Sequence, residues 1–401
     1  MSYILTKMTD IIEFNPREFI AKKQVCKKVP MEYLQPFTRQ ISGYKEAPYA
    51  GGTKFRNNDT IMARITPCLE NGKTALIKGF AENEVIFGST EYIVMRAISG
   101  SSDPTFIYYL ATSSSFREVA IKSMVGSSGR QRVQQDILEN LELVLPDYET
   151  QVRVGKVLAS FDDKIELNAQ INHNLEEQAK AIFKSWFVDF SALDNPDFYS
   201  PEGVTCPVGW RVSYLADIAD YLNGLAMQKY RPDEGDFGYP VLKIKELRQR
   251  MCDKDSERCS FHIKPEYIVH DGDVIFSWSG SLLVDFWCGG ECGLNQHLFK
   301  VSSTKYDKWF YYSWTQYHLN EFIAIAADKA TTMGHIKREH LQSATVLVPP
   351  ADIYNEIGKL LGPIYEAITR NRIESKMLAQ LRNSLLPKLM SGEIDVSEVE
   401  V

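Results

Sequence analysis

The sequence predicts an α+β protein of two similar mixed α/β domains, each followed by a long helix, the two helices pairing as a coiled-coil spacer with pseudo-two-fold symmetry. Three observations predict it. The chain repeats itself without a gap at an offset of 203 residues: Leu138, Pro146, Gly155-Lys156, Leu158, Ile165, Asn168 and Leu175 meet Leu341, Pro349, Gly358-Lys359, Leu361, Ile368, Asn371 and Leu378. The repeated stretch carries apolar residues at a coiled-coil period. The stretches before it, about 145 residues each, carry short strand-like runs bounded by turn residues. A repeat this long is a duplicated domain with its connector, since solenoid units run about 20–50 residues. The 401 residues suffice for two or three cores.

In chain order, Thr60–Ile65, Tyr92–Arg96, Leu141–Leu145, Val274–Trp278 and Ala344–Val348 read as strands. Pro104–Ser123 and Tyr306–Ala327 read as helices, and glycine-rich loops at Ala50–Thr53, Gly126–Arg130 and Ser279–Ser281 separate them. The predicted organisation is a first domain over 1–150, a helix over 151–190, a linker over 191–209, a second domain over 210–350, a second helix over 351–392 and an acidic tail over 393–401.

The helices follow from steps of four and three residues. One seam is Phe161, Ile165, Asn168, Asn172, Leu175, Ala179, Ile182 and Trp186; its counterpart is Ile364, Ile368, Asn371, Ser375, Leu378, Arg382, Leu385 and Leu389. Ser160 with Asp163 resembles a capping box, Pro363 stands where a first helical residue would, and Pro387 is expected to end or kink the second helix. Asn168 and Asn371 hold the same seam position, where a buried amide costs stability but fixes register. Replacing both by Leu should therefore stabilise the pair and loosen its register. The alternative is that each helix packs on its own domain with its Asn at a wet edge. A seam of about 26 residues spans roughly 39 Å, close to the 34–36 Å turn of B-DNA.

Composition excludes several classes. Hydrophobic residues at 44% and charged residues at 24% describe a globular chain. No apolar run approaches the roughly 18 residues of a membrane span, and no basic start with an apolar core marks a secretory leader. The net charge of −7 argues against a general nucleic-acid binder, yet Arg17–Arg56 holds nine basic and three acidic residues. Seven cysteines point to reduced, cytoplasmic thiols rather than a disulfide framework. A zinc site from Cys252, Cys259, Cys288 and Cys292 misses the usual spacing at its first pair, so no metal is expected.

Catalytic motifs fail on inspection. Gly72-Lys73-Thr74 ends like a phosphate loop, but the required earlier glycine is Pro67, which has no N–H to offer. Asp194–Phe198 resembles an amino-methyltransferase signature only faintly and reads as linker. A nuclease centre from Asp59, Glu70 and Lys73 is loosely spaced and occurs in one half only.

The stretches NNDTIMARITPCLENGKTA, GSSGRQRVQQDILENLELVLP, FDDKIELNAQINHNLEEQAKAIFKSWF and LRNSLLPKLMSGEI resemble the specificity subunit of type I restriction-modification systems. The resemblance runs the length of the chain in the order recognition domain, helix, recognition domain, helix. It implies a non-catalytic subunit whose two target-recognition domains each read one half of a bipartite asymmetric site in double-stranded DNA, with an antiparallel helix pair between them. It implies as partners two adenine-methylating modification subunits and the motor-nuclease restriction subunits, and no membrane. S-adenosylmethionine, ATP and Mg belong to those partners, so no cofactor is expected in this chain. The acidic balance then implies modest DNA affinity for the chain alone.

Expected DNA-binding residues are Lys54, Arg64, Lys73, Ser89, Thr90, Arg130 and Gln131 in the first half. In the second they are Lys229, Arg231, Lys243, Lys245, Trp278, Asn295, Gln296, His297, Thr332 and His335. Lys and Arg position phosphates, while Arg, Asn and Gln make paired bonds to base edges. RITPCLENGK (64–73) has no counterpart by sequence in the second half, where SWSGSLLVDF (277–286) stands. A two-fold symmetric protein–protein adaptor with incidental DNA binding is the alternative, separated only by DNA sequence selectivity.

Overall fold

The structure, a computed structural model, describes residues 2–328 and 334–399. The chain forms two compact units, Met1–Ile165 with Leu378–Val401, and Glu166–Met377. Each long helix therefore contributes to both.

The first unit is built on three β-layers. A ribbon pairs Tyr3–Lys7 antiparallel with Glu142–Pro146. A four-stranded antiparallel sheet has the order Ile12–Phe14, Tyr92–Ala97, Thr60–Ala63, Thr74–Leu76. A second sheet has the order Lys45–Pro48, Val25–Val29, Ile86–Gly88, Lys54–Phe55, its middle pair parallel. Alternation along the strands feeds two cores, because successive side chains leave opposite faces. Met62, Ile93 and Met95 pack with Phe106, Tyr109 and Leu110, whereas Ile61, Tyr92 and Val94 pack with Val29, Phe55 and Ile86. The predicted helix over Pro104–Ser123 is two, Pro104–Thr112 and Ser114–Lys122, broken where Ser113 turns extended (ψ 153°).

The second unit repeats this plan. Arg211–Tyr214 pairs with Thr345–Val348. One sheet orders Asp220–Asn223, Leu298–Ser302, Val274–Ser277, Leu283–Phe286; the other orders Arg258–Cys259, Tyr239–Leu242, Cys292–Leu294, Ile268–Val269, again with a parallel middle pair. Val274 and Phe276 face a core with Phe310 and Phe322, while Ile275 faces one with Leu242 and Trp287. All three sheets thus recur in the same order, although the residues that build them are dissimilar. The stretch 191–209 is not featureless: Phe198–Tyr199 pairs with Cys206–Pro207, and Cys206 is buried. All seven cysteines are free.

The long helices run Tyr148–Phe187 and Ala351–Ser391, 40 and 41 residues. They start within three residues of the expected spans 151–190 and 351–392, and about twelve residues before the local start signals at Ser160 and Pro363. Ser160 lies inside the first, its hydroxyl donating to the Val157 carbonyl at 2.7 Å, so it caps nothing. The cap is Asp147, which accepts from the Thr150 N–H at 3.0 Å and from the Ser2 N–H at 3.0 Å. Those bonds hold the Asp147 carboxyl well below the usual carboxylate range. Asp147→Ala should cost about 1 kcal/mol, measured as a lowered denaturation midpoint. Pro363 is interior rather than initial, and the helix passes through Pro387 to Ser391.

Gly155 explains why the repeated Gly-Lys does not break the helix. A Cβ there would stand 2.9 Å from Asp103 Oδ1 and 3.2 Å from the Phe106 nitrogen. Asp103 caps the helix Pro104–Thr112, accepting from Phe106 N–H at 2.9 Å. The glycine lets two helices meet at that cap, and Gly358 does the same against Trp309, whose Nε1 would stand 3.1 Å from an added Cβ. Gly155→Ala gains about 1 kcal/mol of helix propensity but displaces a cap worth about 1 kcal/mol and overpacks the contact by about 1–3 kcal/mol. Net destabilisation of about 1–3 kcal/mol is expected on those magnitudes, and a rise in the thermal midpoint would show that the contact yields.

Candidate nucleic-acid interface

The two units place the loops that follow their matched strands in matched positions. In the first, Ser89, Thr90 and Glu91 follow Ile86–Gly88; in the second, Asn295, Gln296 and His297 follow Cys292–Leu294. Arg64 leaves the central strand Thr60–Ala63, and Trp278 leaves Val274–Ser277. Backbone bonds tie each to a returning loop in the same way. Val133 N–H donates to the Arg64 carbonyl (2.9 Å) and Thr66 N–H to the Gln131 carbonyl (3.0 Å). Ile336 N–H donates to the Trp278 carbonyl (3.0 Å) and Gly280 N–H to the Gly334 carbonyl (2.9 Å). Bridges between Ile65 and Arg132, and between Ser279 and His335, complete the match. Trp278 of SWSGSLLVDF therefore stands where Arg64 opens RITPCLENGK, which the sequences alone do not reveal.

The side chains at these places differ. In the first unit Arg64 is half-buried, its Nη2 donating to the Val133 carbonyl at 3.0 Å. Arg132 donates from Nε and Nη2 to the Glu91 carboxylate at 2.7–3.1 Å. Those bonds draw the Glu91 carboxyl below its ordinary range. Thr90 and Arg130 are exposed, and Gln131 is half-buried. Thr53 Oγ1 donates to the Ser89 carbonyl at 2.8 Å, bringing the Ala50–Thr53 loop to the same edge. Lys54 and Lys73 are turned to backbone acceptors, the Glu18 carbonyl at 2.9 Å and the Met31 carbonyl at 3.0 Å. Lys54 also lines a cleft of about 420 Å³ with Arg17 and Asn15.

In the second unit Trp278 donates from Nε1 to Asn223 Oδ1 at 2.9 Å. Its ring lies 6.1 Å from that of His297 and 6.2 Å from that of His335. His297 Nδ1 meets Ser279 Oγ at 3.1 Å, its N–H donates to Asn295 Oδ1 at 3.2 Å, and Gln296 is its chain neighbour. Trp278, His335, Asn223, Lys337 and Arg338 line a cleft of about 360 Å³. The other cations are not gathered there. Lys229 and Arg231 are exposed on a separate loop, while Lys243 pairs with Glu257 (2.5 Å) and Lys245 with Asp253 (3.0 Å). Thr332 lies outside the described residues.

Sequence reasoning missed Arg132, Asn223, Lys337 and Arg338. The repeat offset of 203 carries Arg132 onto His335, so the signal was present for the first of them. The acid–lysine set considered for nuclease chemistry is dispersed among structural bonds: Asp59 is buried and takes two 2.7 Å bonds from Arg96, and Lys73 is held as above. Among the described residues no group of three or more His, Cys, Asp or Glu could hold a metal.

Within the second unit the two long helices meet through amides. Asn168 Nδ2 donates to Glu374 Oε2 (2.7 Å) and Ser375 Oγ (3.2 Å). Asn172 Nδ2 donates to the Ile368 carbonyl (3.3 Å), and Asn371 Nδ2 donates to Asn172 Oδ1 (2.9 Å). Partner numbers fall on one helix as they rise on the other, so the contacts run antiparallel. Of the remaining seam residues, Ile368 is buried and Leu175, Ile182 and Ile364 are half-buried. In the first unit Phe161, Ile165, Leu378 and Leu385 are half-buried, and Arg382 pairs with the buried Asp162.

A family model for the type I restriction modification DNA specificity domain matches residues 5–177 and again 207–376. The chain belongs to that family. Like its relatives it is a DNA-specificity chain, the recognition part of a type I restriction-modification enzyme rather than a catalytic one. It is 27% identical over 310 residues to the MjaIX specificity subunit of Methanocaldococcus jannaschii, covering 73% of this chain and 70% of that one. It is 24% identical to the HindI specificity subunit of Haemophilus influenzae, covering 88% and 90%. The crystal structure of the type I S subunit from M. genitalium shares its fold, with a TM-score of 0.55 at 14% identity over 97% of this chain and 96% of that one. The two matched segments of this specificity chain contain the two sets of loops described above. No helix among the described residues is long and apolar enough to cross a membrane.

Proposed function

We propose that this specificity chain reads a bipartite, asymmetric DNA site. Each domain reads one half through its matched loops, and the paired helices set the distance between the halves. Two adenine-methylating modification subunits dock on the chain, and restriction subunits join them for cleavage. The observation that carries the reading is the repetition of one sheet plan with unlike side chains at the same loops. A reader of two different half-sites needs a common scaffold and separate base contacts. The acidic total of −7 accords with partner subunits supplying much of the phosphate-facing charge.

Exchange of residues 1–150 for those of a relative with another target tests the reading. Methylome sequencing of a host carrying the chimera and its modification subunit should show one half-site altered and the other kept. Change in both halves, or in neither, overturns the assignment. An adaptor would give no chain-dependent motif at all.

A further inference from the structure

We propose that the residues at the two matched bridges fix which bases each half-site accepts: Arg132, held by Glu91, in the first unit, and Trp278 with His297 and His335 in the second. The inference rests on the reading of the chain as a two-domain DNA reader and deepens it to named side chains.

The argument starts from what the repeat keeps. Core positions keep their chemistry: Ile61 and Met62 of one central strand stand where Ile275 and Phe276 stand in the other. At the bridges the backbone bonds are kept, but a guanidinium paired with a carboxylate, Arg132 with Glu91, becomes an indole beside two imidazoles. A position that holds its backbone and exchanges its chemistry is placed by the fold and is not required by it.

In the first unit the geometry suits guanine. Arg132 is 46% exposed, and Glu91 engages its Nε and Nη2. A carboxylate on that edge holds the guanidinium plane and leaves the Nη1 edge to a ligand. A planar fork with one edge anchored loses little freedom on binding, and its other edge matches guanine O6 and N7. Arg64, bound to the Val133 carbonyl, steadies the loop that carries Arg132. Arg64 and Glu91 are positioning residues.

The second unit presents a different surface. Trp278 is fixed through Nε1 by Asn223, and Ser279 holds His297 through Nδ1. The indole and the faces of two imidazoles form an aromatic wall beside Lys337 and Arg338, chemistry in which the wall fits a thymine methyl and the cations reach phosphates.

Methylome sequencing of hosts carrying the full chain and its modification subunit, with single substitutions, tests this. Arg132→Gln should relax discrimination at one G·C pair of one half-site by about 5–150-fold, as loss of a bidentate base contact does. Arg132→Lys, which keeps the charge without the fork, should do the same. Trp278→Leu and the milder His335→Ala should relax a position in the other half-site and leave the first intact. A motif unchanged in both sets, a uniform fall in methylation with no change of sequence preference, or relaxation of both halves by one substitution overturns the proposal. Relaxation at an A·T pair by Arg132→Gln overturns the guanine assignment. Co-purification with the modification subunit identifies variants that fail to fold, and Arg132→Lys and His335→Ala then carry the test. A wild-type host with no chain-dependent motif would instead sink the underlying reading.

Discussion

Replacing Arg372 by Ala is expected to destabilise the second unit by about 3–5 kcal/mol, the cost of stranding the partners of a buried ion pair. Arg372 leaves the distal helix with its side chain 11% exposed and pairs with Asp285 at 2.6 Å and Glu176 at 2.8 Å. Burial disfavours its cation, but Asp285 and Glu176 outweigh that and raise its affinity for the proton. It therefore ties the distal helix to the central helix and to the domain strand Leu283–Phe286. Removing it leaves Asp285, 9% exposed, with Arg250 at 2.9 Å as its remaining cation, so the loss should fall toward the lower end. All six tryptophans (186, 210, 278, 287, 309 and 314) lie in this unit, so intrinsic fluorescence during denaturation of the whole chain reports it alone. A shift equivalent to under about 1 kcal/mol would mean that the pair behaves as a solvated one. Arg372→Met with Asp285→Asn should recover much of the loss, because the buried stranded charge is then gone and the Glu176 that remains is 34% exposed.

Much of the architecture was legible in the residues, for identifiable reasons. The central strands of each domain were visible because they are continuous apolar runs, and they are buried on both faces between two cores. The sheet that holds Val25–Val29 and Lys45–Pro48 was not, because those strands are short, charged and half exposed. The start signals at Ser160 and Pro363 lie inside the helices, where packing overrides them. Gly155 weakens a helix in isolation but is required by the Asp103 cap. Pro363 is exposed, while Leu361 and Ile368 on either side of it are buried, so packing offsets the missing hydrogen bond.

The candidate site was legible in part. Ser89 and Thr90 in one half and Asn295 to His297 in the other share no sequence pattern, yet they follow equivalent strands of the two equivalent sheets. Lys54 and Lys73 are candidates by charge, which says nothing of direction, and both reach backbone carbonyls. Arg132 escaped notice beside Arg130 and Gln131. Its value lies in the partner Glu91, 41 residues away, and only the fold joins them.

Replacing Asn168, Asn172 and Asn371 together by Leu should stabilise the helix pair by about 1 kcal/mol, since the Asn172–Asn371 pair goes as a whole and Ser375 keeps its bond to the residue 371 carbonyl. Asn168 and Asn371 alone are not enough: Asn371 donates to Asn172, which is 7% exposed and would lose that partner. The double variant should therefore be near neutral, with the gain in apolar burial set against a stranded amide oxygen of about 1–3 kcal/mol. Asn168 Oδ1 is buried without a partner among the described residues, so the native pair carries a cost that Leu would remove. The return on that cost is register. A slide of one turn along either helix separates Asn371 from Asn172 and Asn168 from Glu374, and no such penalty opposes a slide between leucines. Under the proposed function the helix pair sets the distance between half-sites. The triple variant should then methylate sites whose spacers differ by a base pair or so from the single length that the native chain accepts. Fluorescence-monitored denaturation reads the first effect, and methylome sequencing reads the second. A more stable variant that kept one strict spacer would show that the amides impose no register, and that packing along Ile368, Leu175 and Ile182 sets the distance unaided.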